Sequence, residues 1–320
     1  MKKILGGLAL VGAVALTLTG CAAPGGAADD GLITVGFAQT GSESGWRSAN
    51  TESVKEAFSE ANGFKLVFNA ADNKQEAQIA AVRSFINQGV DAIVIAPITV
   101  DGWDDVLKEA KDAGIPVVLE DRTVSASDDL YESWVGLDFK KEGETAGKWV
   151  ADNFGSTPTN LVVLEGTTGS SAALDRSEGF TDAIAGTSVN VLDSQTGDFT
   201  RDGGKKVMEG FLQKYGSDIQ VLFAQNDDMG LGALDAIKAA GLVPGQDIKI
   251  VTIDAVRDGM QALADGEFNY IVECNPLLGE KVAAVVKSVL AGEKVDKATV
   301  VEDGAFDQQQ AKDALPTRKY

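Results

Sequence analysis

QIAAVRSFINQGVDAIVIAPITVDGWDDVLKEAKDAGIPVVLEDR, residues 78–122, sets two aliphatic runs against two stretches of helical length. Ile79, Val82 and Ile86 fall on one helical face. The short apolar run Ala92–Ala96 follows and reads as a strand. Trp103-Asp104-Asp105 is a solvated helix start, and Pro116–Leu119 is the next strand. Alternation of this kind predicts parallel strands with helices on both faces of the sheet.

Working outward, the pattern extends over the chain from Leu32. Further strands are expected at Ile33–Phe37, Lys65–Asn69, Leu161–Leu164, Val189–Leu192, Val221–Ala224, Lys249–Ile253, Tyr270–Glu273 and Thr299–Val301. Val282, Val285, Val286 and Val289 share another helical face. The series occurs twice, with a seam near Ser133–Asp138, and the second begins after a helix at Lys140–Phe154 and a loop at Gly155–Asn160. The predicted fold is α/β, two similar Rossmann-like lobes with parallel sheets, each offering strand ends to a shared cleft.

Those strand ends carry polar, planar side chains. VVLEDR ends on Asp121 and Arg122, FAQND on Asn226 and Asp227, IVTID on Asp254, and IVECN on Glu273; Glu43, Trp46 and Arg47 lie just beyond the first strand. In open parallel sheets ligands sit beyond the carboxyl ends of the strands. GTTGSS (166–171) lacks the Gly-Lys-Ser/Thr ending that grips phosphates. Its small residues instead let the backbone approach the cleft ahead of Arg176. Carboxylate, amide and guanidinium groups without a phosphate loop suit a neutral polyol better than a nucleotide.

Composition narrows the choice further. The 320 residues suffice for two domains. The net charge of −20 repels phosphate backbones, so no nucleic acid partner is expected. There is no histidine, which removes Ser-His-Asp and Cys-His catalysis and the commonest zinc ligand. Cys21 and Cys274 are too far apart for a Cys-x-x-Cys site and are not expected to pair. No calcium-loop spacing occurs among the acidic runs, and no metal or cofactor is expected.

The N-terminus reads as an address. Lys2 and Lys3 precede an apolar run from Ile4 to about Leu18, then Leu-Thr-Gly-Cys. This describes a secretory signal too short for a comfortable membrane span, which needs roughly 20 apolar residues. The last four residues resemble a bacterial lipobox, making Cys21 the lipidated first residue of the mature chain. The alternative is an ordinary secretory signal with an incidental cysteine. Residues 1–20 are thus read as signal peptide, and 21–31 as lipidated cysteine and Gly/Ala-rich tether. Two lipid chains would hold the protein at the membrane, outside the cytoplasm.

Six ordered blocks carry a family likeness: VGFAQTGSESGWR (35–47), 78–97, 101–122, LEGTTGSSAALDRSEGF (164–180), GDFTRDGGKKVMEGF (197–211) and FAQNDDMGLGALDAIKAAG (223–241). The chain resembles a type I periplasmic binding protein of the ribose/galactose kind, the solute receptor of a bacterial ABC sugar importer. Within that group it is most similar to galactofuranose- and fructose-binding receptors. The resemblance implies a three-segment hinge near Gly136, Asn275 and Val300–Glu302. The lobes would be 32–136 plus 275–300 and 137–274 plus 301–320. It also implies closure by hinge rotation, a closed form read by an ABC permease, and a monomer.

The same resemblance assigns sugar-binding roles. Asp121, Arg122, Arg176, Asn226 and Asp254 match polar ligand positions, and Trp46 and Phe199 match stacking aromatics. Glu43, Trp46 and Arg47 replace the Asn-Pro-Phe-Phe style segment of ribose receptors. Glu273 aligns roughly with a hinge-side glutamine. Each has a plainer alternative: an Asp121–Arg122 salt bridge, a solvated Arg176, a cap at Asn226 or Asp254, a packing Trp46, and core burial of Phe199. Asp227 is expected as the cap of a helix starting at Met229, and Cys274 as a buried small residue.

The expected function is capture of a monosaccharide, in furanose form, for an ABC permease, with no bond made or broken. A receptor reporting to a chemoreceptor or histidine kinase is the first rival. A secreted hydrolase using Asp121 and Asp254 is the second; it needs one carboxyl of raised pKa, whereas neighbouring arginines are expected to keep both ionised. A repressor of related fold is excluded by the signal and the missing DNA-binding headpiece.

Overall fold

In a computed structural model that describes residues 31–320, the chain runs β1 (Ile33–Gln39), α1 (Gly45–Ala57), β2 (Phe64–Ala70), α2 (Gln75–Gln88), β3 (Ala92–Ile95), α3 (Asp104–Asp112), β4 (Val117–Asp121) and β5 (Ser133–Leu137). It continues through α4 (Phe139–Phe154), β6 (Thr159–Glu165), α5 (Ser171–Ile184), β7 (Val189–Thr196), α6 (Arg201–Tyr215), β8 (Val221–Ala224), α7 (Asp227–Ala239) and β9 (Lys249–Asp254). Then come α8 (Arg257–Ala264), β10 (Tyr270–Glu273), α9 (Gly279–Leu290), β11 (Ala298–Val301), β12 (Ala305–Phe306) and α10 (Gln308–Ala314). The signal, the lipidation of Cys21 and most of the tether lie outside the described residues. No helix among those described is long and apolar enough to cross a membrane.

Two six-stranded sheets form, in the orders β11-β5-β4-β3-β1-β2 and β12-β10-β9-β8-β6-β7. All pairings are parallel except that of β10 with β12. The expected two-sheet α/β architecture is therefore present, within one unit, Leu32–Tyr320. The chain passes between sheets after β5, after β10 and after β11. One difference is instructive: Ser133–Asp138, expected as a seam, supplies β5, paired with β4 and β11. β5 ends at Leu137 and β11 at Val301, one residue beyond the expected lobe limits.

Burial explains the elements. All four residues of β3 are buried, as a strand covered by helices on both faces requires. On α2 the buried residues Gln78, Ala81, Val82 and Phe85 recur at helical spacing. Burying Val82 and Phe85 contributes roughly 1.5–3 kcal/mol each. In the second sheet, Phe180 of α5 stacks on Phe223 of β8 with ring centroids 4.1 Å apart.

Helices α4 and α5 touch along glycines. A Cβ at Gly143 would lie 2.2 Å from the Arg176 carbonyl oxygen, and one at Gly179 would lie 2.0 Å from that of Lys140. Only glycine permits this approach, which lays Arg176 of α5 against Glu142 of α4 (Nε–Oε2 2.7 Å). Backbone spacing thereby fixes a side chain of the cleft.

Candidate functional site

Carboxyl-terminal strand ends from both sheets face one small cavity lined mostly by buried side chains. Glu43, Trp46 and Arg47 enter it from the β1–α1 connection and the start of α1, and Asp121 and Arg122 from the end of β4. Opposite them stand Arg176 of α5, Phe199 before α6, Asn226 at the start of α7 and Asp254 at the end of β9. Sequence reasoning named all nine. Ser44, Phe139, Ala172 and Cys274 complete the lining.

Three of these residues hold positive φ without being glycine: Asp121 (62°), Phe199 (61°) and Asp254 (130°). Such conformations cost on the order of 1–3 kcal/mol each and persist where surrounding structure enforces them. For Phe199 the enforcement is visible. Its ring occupies the space where a Cβ on Gly166 would be, 1.9 Å away, so GTTGSS does bring backbone close to the cleft.

Arg47 organises the first half of the site. Its nitrogens reach Glu43 Oε1 (3.1 Å), Asn50 Oδ1 (3.2 Å) and Asp121 Oδ2 (2.6 Å). Its guanidinium carbon lies 4.7 Å from the Trp46 ring centroid. Burial alone would lower the Arg47 pKa, but Asp121 and then Glu43 raise it above the ordinary value. Burial would likewise raise Glu43, yet Arg47 and Arg122 hold it below the usual carboxylate range. Trp46 donates from Nε1 to the Cys274 carbonyl at 2.6 Å, which fixes its ring beside the crossover.

Arg122 is held far more loosely. It donates to the Ile98 and Pro97 carbonyls at 3.3 and 3.5 Å, and its Nε stands 3.8 Å from Asp121 Oδ2. Burial and the neighbouring Arg47 push its pKa down to about 10. Arg176, in contrast, donates to Glu142 and to the Gln225 carbonyl (2.6 Å), and these partners fix it firmly. Phe199 lies within cation–π range of both guanidinium groups, 5.3 Å from Arg122 and 5.8 Å from Arg176.

The expectation that arginines keep both carboxylates ionised fails at Asp254. Burial dominates there and raises its pKa well above the ordinary value, against Arg176 at 3.8 Å. Asn226 also differs from expectation. Its Oδ1 accepts from Met229 N at 2.9 Å, so Asn226 rather than Asp227 caps α7, while its Nδ2 donates to the Phe199 carbonyl. Asp227 lies buried beneath, accepting from Thr252 Oγ1 and Val256 N.

Glu273 is the residue the structure moves out of the site. Its carboxylate accepts from Arg318 (2.6 Å), Tyr320 (2.8 Å) and Gly304 N (3.0 Å), and it does not border the cavity. Four residues were missed. Phe139 follows β5 and would have been found by the strand-end rule had Ser133–Asp138 been read as a strand. Cys274 was read as packing; it is buried, with its thiol pKa raised by that burial, and also borders the cavity. Ser44 and Ala172 carry no chemical signal in the sequence.

Among the described residues, six buried side-chain atoms lack a hydrogen-bond partner, and three belong to cavity residues: Glu43 Oε2, Arg122 Nε and Asp254 Oδ2. A buried polar atom left unmatched costs about 1–3 kcal/mol. A ligand matching these must donate to carboxyl oxygens and accept from a guanidinium. Hydroxyl groups do both, whereas a phosphate would meet three carboxyls and a cation three arginines.

Comparison with known proteins agrees with this chemistry. The model of the periplasmic binding protein domain matches residues 35–294. The chain is 45% identical to the galactofuranose-binding protein YtfQ of Escherichia coli K12, covering 90% of this chain and 92% of that protein. It is 40% identical over the full length of both chains to the fructose import binding protein FruE of Bifidobacterium longum. A Mycobacterium smegmatis crystal structure in complex with β-D-fucofuranose aligns with TM-score 0.87 and 57% identity, covering 90% of this chain and 95% of that one. The first two of these relatives are binding proteins, not enzymes.

Proposed function

Because the chain belongs to the periplasmic binding protein family, we propose that it is an extracytoplasmic receptor that captures a monosaccharide in its furanose form and delivers it to an ABC permease. The observation that carries this reading is the set of unmatched polar atoms, Glu43 Oε2 and Arg122 Nε from one sheet and Asp254 Oδ2 from the other, around one small cavity. A sugar bonding to both halves stabilises the closed arrangement, since only differential affinity shifts such an equilibrium. The sugars named for its relatives, galactofuranose, fructose and fucofuranose, support a five-membered ring.

In this reading Asp121, Arg122, Glu43 and the Trp46 ring act from the lobe of 32–136 plus 275–300. Arg176, Asn226, Asp254 and Phe199 act from that of 137–274 plus 301–320. Arg47 holds Glu43 and Asp121 in place. Cys21 carries the lipid that keeps the receptor, as a monomer, at the membrane. Calorimetric titration with fructose, galactose and arabinose tests the central claim. One sugar binds, and Asn226→Ala, which removes a cavity amide and the α7 cap, weakens it at least tenfold. No heat with any of the three, or full affinity in Asn226→Ala, would overturn it.

A further inference from the structure

Among the described residues, three hydrogen bonds join the two sheets' halves at the cleft without passing through the cavity's polar groups. Gly45 N donates to Asp228 Oδ2 at 2.7 Å, Val100 N to the Gly169 carbonyl at 2.9 Å, and Thr123 N to Ser171 Oγ at 3.1 Å. The first is the charged one. Gly45 is the first residue of α1 and Asp228 the second of α7, and neither borders the cavity.

The electrostatics are specific. The amino ends of α1 and α7, each carrying partial positive charge, approach across the cleft and would repel one another. The Asp228 carboxylate sits in the first turn of α7 and accepts from α1, so it offsets both ends at once. Arg201 Nε, 3.5 Å from Asp228 Oδ1, holds the carboxylate from the side. A Cβ at Gly45 would lie 3.4 Å from Asp228 Oδ2, an ordinary van der Waals contact, so a side chain there is compatible with the approach.

We propose that Asp228 and the Gly45 amide form a clasp outside the sugar site that sets how readily the cleft closes, and so scales affinity for every ligand equally. This rests on the sugar-receptor reading above. When only a fraction of molecules is closed, apparent affinity falls by that fraction whatever the ligand. A side chain touching sugar changes affinities unequally; the clasp changes them by one common factor. Asp228 is thus a positioning residue.

The test compares Asp228→Ala with wild type against every sugar that wild type binds. A charged hydrogen bond corresponds to roughly 10- to 100-fold in affinity. The expected result is a loss of that size, equal for all sugars, appearing in the dissociation rate with the association rate unchanged. Gly45→Pro guards against misfolding of the first variant. Proline is favoured at the first position of a helix, and it deletes the donor N–H. It should reproduce the uniform loss with the ligand-free melting midpoint preserved. Unchanged affinity in both variants, or a loss that differs among sugars, overturns the clasp alone. If wild type binds no sugar, the receptor reading falls and the clasp with it.

Discussion

Arg122 and Arg176 carry the same charge into the same cavity but are held so differently that their removal should have opposite consequences for the empty protein. Arg122 has two long carbonyl contacts, an unmatched Nε and a pKa pushed down to about 10 by burial and Arg47. Its carboxylate neighbour Asp121 is bound at 2.6 Å by Arg47 and stays paired if Arg122 is lost. Arg122→Met therefore removes a buried, under-satisfied charge, relieving about 1–3 kcal/mol against some lost contact. The ligand-free melting midpoint should hold or rise, at roughly 2–4 °C per kcal/mol. The sugar loses the charge-assisted hydrogen bond at the unmatched Nε, about 1.5–3 kcal/mol, a ~10- to 10²-fold drop in affinity. Arg176→Met instead strands buried Glu142, its partner at 2.7 Å. Breaking a buried pair costs about 3–5 kcal/mol, so its midpoint should fall by roughly 6–20 °C. Thermal melts without sugar, paired with calorimetric titration, read both quantities. If Arg122→Met melts as low as Arg176→Met, or still binds sugar at full strength, the division between a loosely held arginine and a locked one is wrong.

Two further outcomes follow from the geometry. Gly166→Ala would set a Cβ inside the Phe199 ring. Because Gly166 N is bonded to Gln225 and its carbonyl to Thr196, the ring must move, not the backbone. A stability loss of about 1–3 kcal/mol and at least tenfold weaker binding should appear together in melts and titrations. The second concerns pH. Burial pushes Glu120 up to about 8, from ~4.3 in the unfolded chain. The folded state holds that proton more tightly, so this stability is full below ~4.3 and declines by up to about 1.4 kcal/mol per unit as pH rises toward 8. Glu120→Gln removes that slope at one site, leaving among others those of Asp227 and Asp303, raised to about 7 and about 8 chiefly by burial, and of Asp254, raised well above its ordinary value. Denaturation curves from pH 5 to 8 should be flatter for the variant; parallel curves would refute the assignment.

Much of the site could be read before any coordinates because a parallel α/β sheet places its ligand at strand ends, and strand ends are local features. Asp121, Arg122, Asn226 and Asp254 each close a short aliphatic run, and Trp46 and Arg47 open a helix capped by Ser44. Fold class followed from the same alternation. Glu273 closes a strand too, yet its carboxylate is taken by Arg318 and Tyr320, residues some 45 positions later that no local pattern connects to it. Phe139 and Cys274 join the cavity only because crossovers return there.

Short-range periodicity and residue chemistry thus specified the layers, the direction of the strands and most of the groups aimed at the cleft. Which group is clamped and which is left unmatched depended on distances between segments far apart in the chain. So did the raised pKa of Asp254, because depth of burial belongs to the packed whole: desolvation by both halves outweighs one arginine 3.8 Å away. Local sequence sets what each side chain can do, and long-range packing sets what it is left to do.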